Sequence, residues 1–415
     1  MRRETKGHRA PRRRRRAAVV AMALTAAVLA GATALPVTAT ASPRSPSQGA
    51  PEAATRWLQV DAGLLHTCAV RADHHLFCWG SDDVGAVGDG LPRKDRKWPA
   101  EVAGRTGDWA VVSAGDVHTC AIKTTGRLFC WGHGSLGRLG TGSTQDRPAP
   151  VEVAGQSTDW AAVSVGGSTT CGIRTSGRLF CWGGDRRGAN GDGGGTVSTT
   201  VPTEVAGGAD DWASVSVGFE STCARKVSDR VFCWGDDTYG QVGDGEPRGG
   251  FTTSPVEVAG DATDWGSVTL SNQHACATKT SGRLFCWGRG IDWALGNPGQ
   301  DWADFSSPNE VVGASTNWAT AATGFRHSCG RRAAGRLYCW GSPKRAALGQ
   351  VRPFVQATPL LVPGGFTDWT TVTAGMWSTC ALRANGVLYC WGNNEFGQAG
   401  VGSTARKIVG PTRVR

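Results

Sequence analysis

The sequence predicts an all-β fold: a seven-bladed β-propeller of four-stranded antiparallel blades. Three observations predict it. Fourteen cysteines form seven pairs whose members stand ten positions apart: Cys68 with Cys78, Cys120 with Cys130, Cys171 with Cys181, Cys223 with Cys233, Cys276 with Cys286, Cys329 with Cys339, and Cys380 with Cys390. The second member is always followed by Trp-Gly. The first member recurs every 51 to 53 residues, a period of propeller and solenoid repeats. That period overrides the two or three domains that 415 residues would otherwise suggest.

The chain opens on a leader. Residues 1–41 hold nine basic residues (Arg2, Arg3, Lys6, Arg9 and Arg12 to Arg16) and one acid, Glu4. Without them the net charge of +10 falls to +2 (44 bases less nine against 34 acids less one). No basic cluster stands out in the remainder, which argues against a nucleic-acid partner. An apolar run from Ala17 to Leu35 and the small-residue site Ala39-Thr40-Ala41 follow the charged segment. This is the order of a secretory signal, with cleavage expected after Ala41 and no membrane segment afterwards. The run also approaches the length of a membrane span, so an uncleaved anchor is the alternative. Residues 42–55, rich in Pro, Ser and Ala, are expected to be a flexible linker, and residues 56–415 the propeller. Paired cysteines persist outside the reducing cytosol. Both signals indicate a secreted, extracellular protein, with association with the cell envelope left open.

The second unit shows what one blade contains. Pro99–Val102, Asp108–Gly115, His118–Lys123 and Arg127–Gly132 are four short β-prone runs separated by turns that carry glycine. The last two form a hairpin whose loop, Thr124-Thr-Gly126, recurs as Thr175-Ser-Gly177 and Thr280-Ser-Gly282. A three-residue loop ending in Gly suits a final residue of positive φ. Pairing about it sets Cys120 opposite Cys130, with Cα atoms roughly 4.5–5.5 Å apart, within reach of a disulfide. Each bridge is worth about 2–3 kcal/mol in the chain-entropy model. Zinc is the competing use of the thiols. However, C-x9-C gives only two ligands per unit, where a structural zinc takes four with close spacing. The residue two before the first Cys is His66, His118, His274 or His327 in four units, but Thr169, Ser221 or Ser378 in the others. A ligand would not be dispensable in three units.

Tryptophan recurs twice per unit, 11 residues before the first Cys (Trp57 to Trp369) and directly after the second (Trp79 to Trp391). In Leu128-Phe129-Cys130-Trp131 both strand faces are apolar, so neighbouring sheets must cover both. These fourteen Trp are therefore core. The signature Pro-x-x-Val, read as a first strand, occurs at Pro99, Pro150, Pro202, Pro255, Pro308 and Pro359. None precedes Trp57, and a last copy, Pro411-Thr-Arg-Val414, ends the chain. The C-terminal strand is thus expected to complete the first blade and close the ring.

The succession of Trp, Gly-x-x-His-Thr-Cys-Ala, Gly-x-Leu-x-Cys-Trp-Gly and Gly-x-x-Gly-x-Gly resembles the regulator-of-chromosome-condensation repeat. Gly137-Arg-Leu-Gly140-Thr-Gly142 and Gly240-Gln-Val-Gly243-Asp-Gly245 are examples of the last piece. The resemblance covers about residues 56–415 and implies a seven-bladed propeller. The chain departs from eukaryotic members in its leader and its cysteine pairs, as a secreted bacterial disulfide-bearing type would. The family's namesake is a nuclear exchange factor for a small GTPase that also binds chromatin. An exported protein meets neither partner, so guanine-nucleotide exchange is only a remote alternative. Secreted bacterial members resemble this chain more in setting and include inhibitors that grip β-lactamases with loops on one face. That implies binding by shape, without transfer of the target.

The loops indicate where binding would occur. In an up-and-down blade, the loop before the first Cys and the connection after Cys-Trp-Gly share a face, and both vary most between units. The candidate partner-binding residues are Leu64, Leu65, Trp98, Phe219, Trp293, Trp302, Phe325, Arg326, Met376 and Trp377. The four Trp outside the frame (Trp98, Trp293, Trp302, Trp377) all fall in segments expected on that face. Aromatics and Arg are what interface hot spots use. The partner is expected to be an extracellular protein or glycan, bound by a monomer. Local packing of long loops is the competing explanation for these residues. No Ser-His-Asp, H-E-x-x-H, phosphate loop or carboxylate-rich metal motif appears. No catalytic residue, metal or cofactor is expected, and His74-His75 reads as a solvated hairpin tip. A structural envelope or matrix module without a dedicated partner is the second functional class.

Overall fold

A computed structural model describes residues 56–415, except 248, 300–302, 314 and 352–353. The leader and linker lie outside the described residues. Seven four-stranded antiparallel sheets follow one another along the chain. Blade 1 consists of β1 (Trp57–Ala62), β2 (His66–Arg71), β3 (Leu76–Gly80) and β4 (Arg96–Glu101), in that order. The pattern repeats over residues 109–152, 160–204, 212–257, 265–310 and 318–361. It ends with blade 7: β25 (Trp369–Ala374), β26 (Ser378–Arg383), β27 (Leu388–Asn393) and β28 (Lys407–Arg413).

All seven expected cysteine pairs are bridged. Cys68 is bonded to Cys78, Cys120 to Cys130, Cys171 to Cys181 and Cys223 to Cys233. Cys276 is bonded to Cys286, Cys329 to Cys339 and Cys380 to Cys390. In every blade the two cysteines are directly opposed on the two middle strands. Their Cα atoms lie 4.0–4.1 Å apart. That is closer than the 4.5–5.5 Å expected of unbridged opposed residues, because the bond draws the strands together. Every bridge is buried. The glycine of each Trp-Gly has φ between 93 and 110°, a region that side chains avoid. At that glycine the register with the outer strand shifts, which accounts for Trp-Gly in every unit.

Two of the expectations about strand order are corrected. The Pro-x-x-Val run is the fourth strand of the blade before it, not the first strand of the blade after it. β4 carries Pro99 and pairs with β3 through Cys78↔Ala100. Likewise β28 carries Pro411 and pairs with β27 of its own blade, so the C-terminal strand does not complete blade 1. Proline cannot donate to a ladder and suits an outermost edge strand, where it also blunts edge-to-edge pairing.

The ring is closed instead by blade-to-blade packing. One apolar cluster joins Trp57, Val60 and Trp79 of blade 1 to Trp369, Leu388 and Trp391 of blade 7. Analogous clusters join blades 1 and 2, with Trp109 and Trp131, and blades 2 and 3, with Trp160 and Trp182. Within each blade the first Trp ring stands 5.8–6.3 Å from the second and edge-on to a Phe or Tyr, the favoured aromatic geometry.

Polar bridges cross the same seams. Every second-Trp indole donates to a carbonyl in the preceding blade's connection at 2.9–3.1 Å, from Trp131 to Ala86 through to Trp79 to Gln398. In six blades the residue before the first Cys carries a hydroxyl that donates to that same carbonyl, as Thr119 does to Ala86 and Thr67 to Gln398; blade 5 has Ala275 there. Four of these hydroxyls also meet a histidine of the preceding blade: His66–Thr119, His118–Thr170, His274–Ser328 and His327–Thr379, at 2.7–3.0 Å. Since the hydroxyl proton is committed to the carbonyl, the imidazole must donate from Nε2. Burial holds these rings neutral: His66 and His327 are lowered to about 4 and His274 to about 3.

A second belt runs around the axis. The fifth residue of the inner strand accepts a backbone N–H from the next blade at five steps: Asp61 from Ala114, Ser113 from Val165, Ser164 from Val217, Ser216 from Leu270 and Thr373 from Ala62, at 2.9–3.2 Å. Thr269 bonds the Thr323 hydroxyl of the next blade instead (3.2 Å). Ala322 leaves the step from blade 6 to blade 7 open. Thr373 also donates to Asp61 (2.9 Å), tying the last blade to the first. Beside this belt glycines let the blades touch: a Cβ at Gly166 would lie 1.9 Å from the Gly218 carbonyl oxygen.

Two outcomes test this account. Gly166→Ala should destabilise the fold by about 1–3 kcal/mol through overpacking. Gly266→Ala, whose Cβ would meet nothing closer than 3.5 Å, should stay within about 0.5 kcal/mol in denaturant titration. A histidine whose folded pKa is depressed stabilises fully above the unfolded value near 6.5 and loses that contribution as pH falls toward about 4. His327→Gln should therefore remove about 2 kcal/mol of the stability lost between pH 7 and pH 5, whatever its absolute stability.

Candidate functional site

The antiparallel order sends two kinds of connection to opposite ends of the ring. The β1–β2 loop and the β3–β4 connection share one end, here the loop face. The β2–β3 turn and the link from β4 to the next blade share the other, the hairpin face. The two ends differ in kind. On the hairpin face, blades 2 to 5 repeat one arrangement. Arg127, Arg178, Arg230 and Arg283 hold Glu152, Glu204, Glu257 and Glu310 in bidentate pairs. Lys123, Arg174, Lys226 and Lys279 pair with Asp108, Asp159, Asp211 and Asp264. Among the described residues the loop face repeats no such set of ion pairs.

The axial channel encloses about 210 Å³ and opens on the loop face. Leu64, Asp116, Phe219, Asn272, Phe325 and Met376 line its mouth, one from each of six blades. Gly167 holds the corresponding position in blade 3, and its missing side chain makes room for Phe219: a Cβ there would meet the Phe219 ring at 2.7 Å. Phe219 is 44% exposed. Phe325 stands edge-on to Trp377 at 5.5 Å. Arg326 stacks on Phe325 and lies 3.6 Å from Asp292, and Lys344 sits 5.9 Å from the Trp377 ring. Arg289 covers Tyr239 and bonds Gln273. Blades 4 to 7 thus carry an aromatic and cationic crescent beside an apolar mouth. Desolvation raises the Asp116 carboxyl to about 6, with Arg138 pulling it down.

Leu64, Phe219, Phe325 and Met376 meet at the mouth, with Leu65, Arg326 and Trp377 in the adjoining loops. Trp302 lies outside the described residues. The other two off-frame tryptophans are not free loop residues. Trp98 belongs to strand β4 and is 47% exposed, its ring lying over Gly402 of blade 7 on the outer wall. Trp293 sits half-buried in a short 3-10 turn, Ile291–Trp293, with φ of 62°. It fills the position held by a positive-φ glycine in five blades, such as Gly137 and Gly240. Sequence reasoning passed over Asp116, Tyr239, Arg289 and Lys344, which only the ring brings to one rim. Asp82 and Asp237 accept the Val87 and Val242 N–H groups (3.0 and 2.9 Å), which closes the turn after Cys-Trp-Gly in their blades. Among the described residues no group of three His, Cys, Asp or Glu side chains is placed to hold a metal ion.

Residues 30–351 match the RCC1-like domain, and residues 369–398 match the regulator of chromosome condensation (RCC1) repeat. The chain belongs to the RCC1-like family. This RCC1-like propeller is 26% identical over 355 residues to the ultraviolet-B receptor UVR8 of Arabidopsis thaliana, covering 84% of this chain and 79% of the receptor. It is 27% identical over 319 residues to the mitochondrial RCC1 domain-containing protein RUG3 of the same plant, covering 73% and 69%. The human E3 ubiquitin-protein ligase HERC2 is 25% identical, but the match covers 5% of its length. Among solved structures, human WBSCR16 superposes with a TM-score of 0.72 at 20% identity, over 82% of this chain and 94% of that one. Prp20p of Saccharomyces cerevisiae, studied for its binding to Gsp1p and histones, gives 0.73 at 19% identity, over 88% of each. These structures share the fold.

Proposed function

We propose that this RCC1-like chain is an exported, non-catalytic binding scaffold that grips one protein or glycan partner with its loop face. The contrast between the two ends carries the reading. A position filled alike in successive blades serves the ring, whereas the loop face departs from repetition and gathers Leu64, Phe219, Phe325, Met376 and Trp377 around one opening. Rigid aromatic anchors rimmed by Arg and Lys suit a desolvated interface. Relatives support binding as the general role. The Gsp1p and histone contacts of Prp20p belong to that protein, and a likeness of 19% carries the fold alone. The HERC2 match spans too little of that ligase to bring its activity here.

Export is supported by the leader and by seven buried bridges with no free cysteine among the described residues. Among those residues no helix is long and apolar enough to cross a membrane. The mature protein should begin at Ser42, as intact mass and N-terminal sequencing of secreted material will read; retention of residues 1–41 would support the anchor instead.

The double variant Phe325→Ala/Trp377→Ala should lose capture of a stoichiometric partner from culture supernatant while its melting temperature stays within about 2 °C of the parent's, since the contact between the two rings lies at the rim, outside the buried apolar seams. Undiminished capture would rule the loop face out. Recovery with the wall fraction, with no stoichiometric partner, would favour the structural module.

A further inference from the structure

Blades 2 to 5 neutralise every Arg and Lys at two corners of the hairpin face, which makes the ring its own control. In blade 6 both acids are replaced: Asn317 stands where the others have Asp, and Leu361 where they have Glu. Arg332 and Arg336 remain in frame. Arg336 is exposed, and Leu361, at the vacated acid position, is 46% exposed. Arg332 lies over Trp318 and Tyr338 at 4.9 and 4.7 Å. Beside it Arg331 is half-buried, and burial lowers its pKa. In blade 7, Arg413 replaces the Glu itself and is exposed. At the start of blade 1, Arg56 replaces the Asp and lies against Gly386 of the blade 7 hairpin.

The blades that carry these residues touch on this face. Trp369 N–H donates to the Gly335 carbonyl at the blade 6 tip (3.0 Å), and Trp57 N–H donates to Gly386 (2.8 Å). The acids nearby are engaged: Asp368 with Arg383, Asp73 with Arg71, and Glu101 with His75. Among the described residues Arg332, Arg336, Arg413 and Arg56 therefore form an arc without ion-pair partners across three successive blades.

We propose that this arc binds a linear anionic glycan, sulfated or carboxylated. A free guanidinium fork can bond two oxygens of one carboxylate or sulfate, and forks spread over three blades suit a chain of repeated charges better than one small anion. Arg332 lies over Trp318 and Tyr338, and Arg383 over Phe366, so cations already occupy ring faces that base stacking would use. The preference for a glycan over nucleic acid rests on the export reading above.

The test uses the secreted protein with immobilised heparin, hyaluronate and duplex DNA as probes, across a salt series. Heparin should be retained and released by salt. Hyaluronate separates the two sources, because equal retention marks carboxylates as sufficient and weaker retention marks sulfates as required. Asn317→Asp/Leu361→Glu restores the acids of the other blades without removing any arginine, and should weaken heparin binding at least about tenfold at physiological salt. Arg332→Gln/Arg336→Gln/Arg413→Gln should do the same and flatten the salt dependence. Arg186→Gln/Arg187→Gln on the loop face should change neither. Full affinity in the acid-restored variant, equal loss in the loop-face control, or tighter binding to DNA than to heparin would overturn the assignment.

Discussion

Each sheet here is apolar on both faces and cannot exist alone. Leu128, Cys130 and Trp131 of one strand have no solvent-facing side to offer, and are all buried. The burial each needs is supplied only by the next blade, and the last blade must find the first. Once the ring closes, its seams are dry and any polar group within them must be matched. The alternation of tryptophan, small residue and hydroxyl along the repeat answers that demand. The indole fills the seam and spends its one donor on a carbonyl of the preceding blade. The threonine hydroxyl shares that carbonyl, and a histidine, where present, completes the bridge.

Ring closure needs no exchanged strand under these conditions. Swapping a strand between first and last blades removes an edge where the sheets would otherwise come apart. Here the contact between blades 7 and 1 uses the same kinds of contact as the others, with Trp79 and Thr67 on Gln398 and Ala62 on Thr373. The disulfides act at a different level. Each joins the two middle strands of a single blade, so they hold hairpins together and leave the seams to packing and hydrogen bonds.

The sequence made the hairpins legible because pairing register follows directly from a constant spacing and a short glycine turn. Cys opposite Cys, core tryptophans and seven blades all came from local rules. The assignment of the Pro-x-x-Val run did not, because a cyclic repeat has no inherent first strand and any rotation of the frame fits equally well. The deciding fact is physical: the Gly-x-x-Gly-x-Gly connection turns the chain back onto its own blade, leaving proline at the outer edge. Trp98 was misplaced for the same reason, since it belongs to that outer strand. The rim was half legible. Loop variation located Phe325 and Trp377, but Tyr239, Arg289 and Lys344 come from connections far apart in sequence. The arginine arc was invisible, because Arg56 and Arg413 stand at opposite ends of the folded chain and meet only when the ring closes.

In a symmetric scaffold, specificity can reside only in what breaks the symmetry. Residues common to every blade are already committed to seams, turns or ion pairs, and altering one opens a gap in the ring. The loop rim and the arginine arc both depart from the repeat and lie at opposite ends of the blades. A ligand at one end couples to the other only through an element with two arrangements that both sites bias. The inner belt offers no such element across six of its seven steps, where each blade is fixed to its neighbour by a hydrogen bond. The step from blade 6 to blade 7 is the exception, since Ala322 cannot make that bond. The same two blades carry Phe325 and Trp377 on one face and Arg332 and Arg413 on the other. That seam is still crossed by Phe325 N–H on the Gly375 carbonyl (3.3 Å), by His327 with Thr379 and by Trp391 on Ala347, so the ring is bonded all round and the two ends act as separate sites.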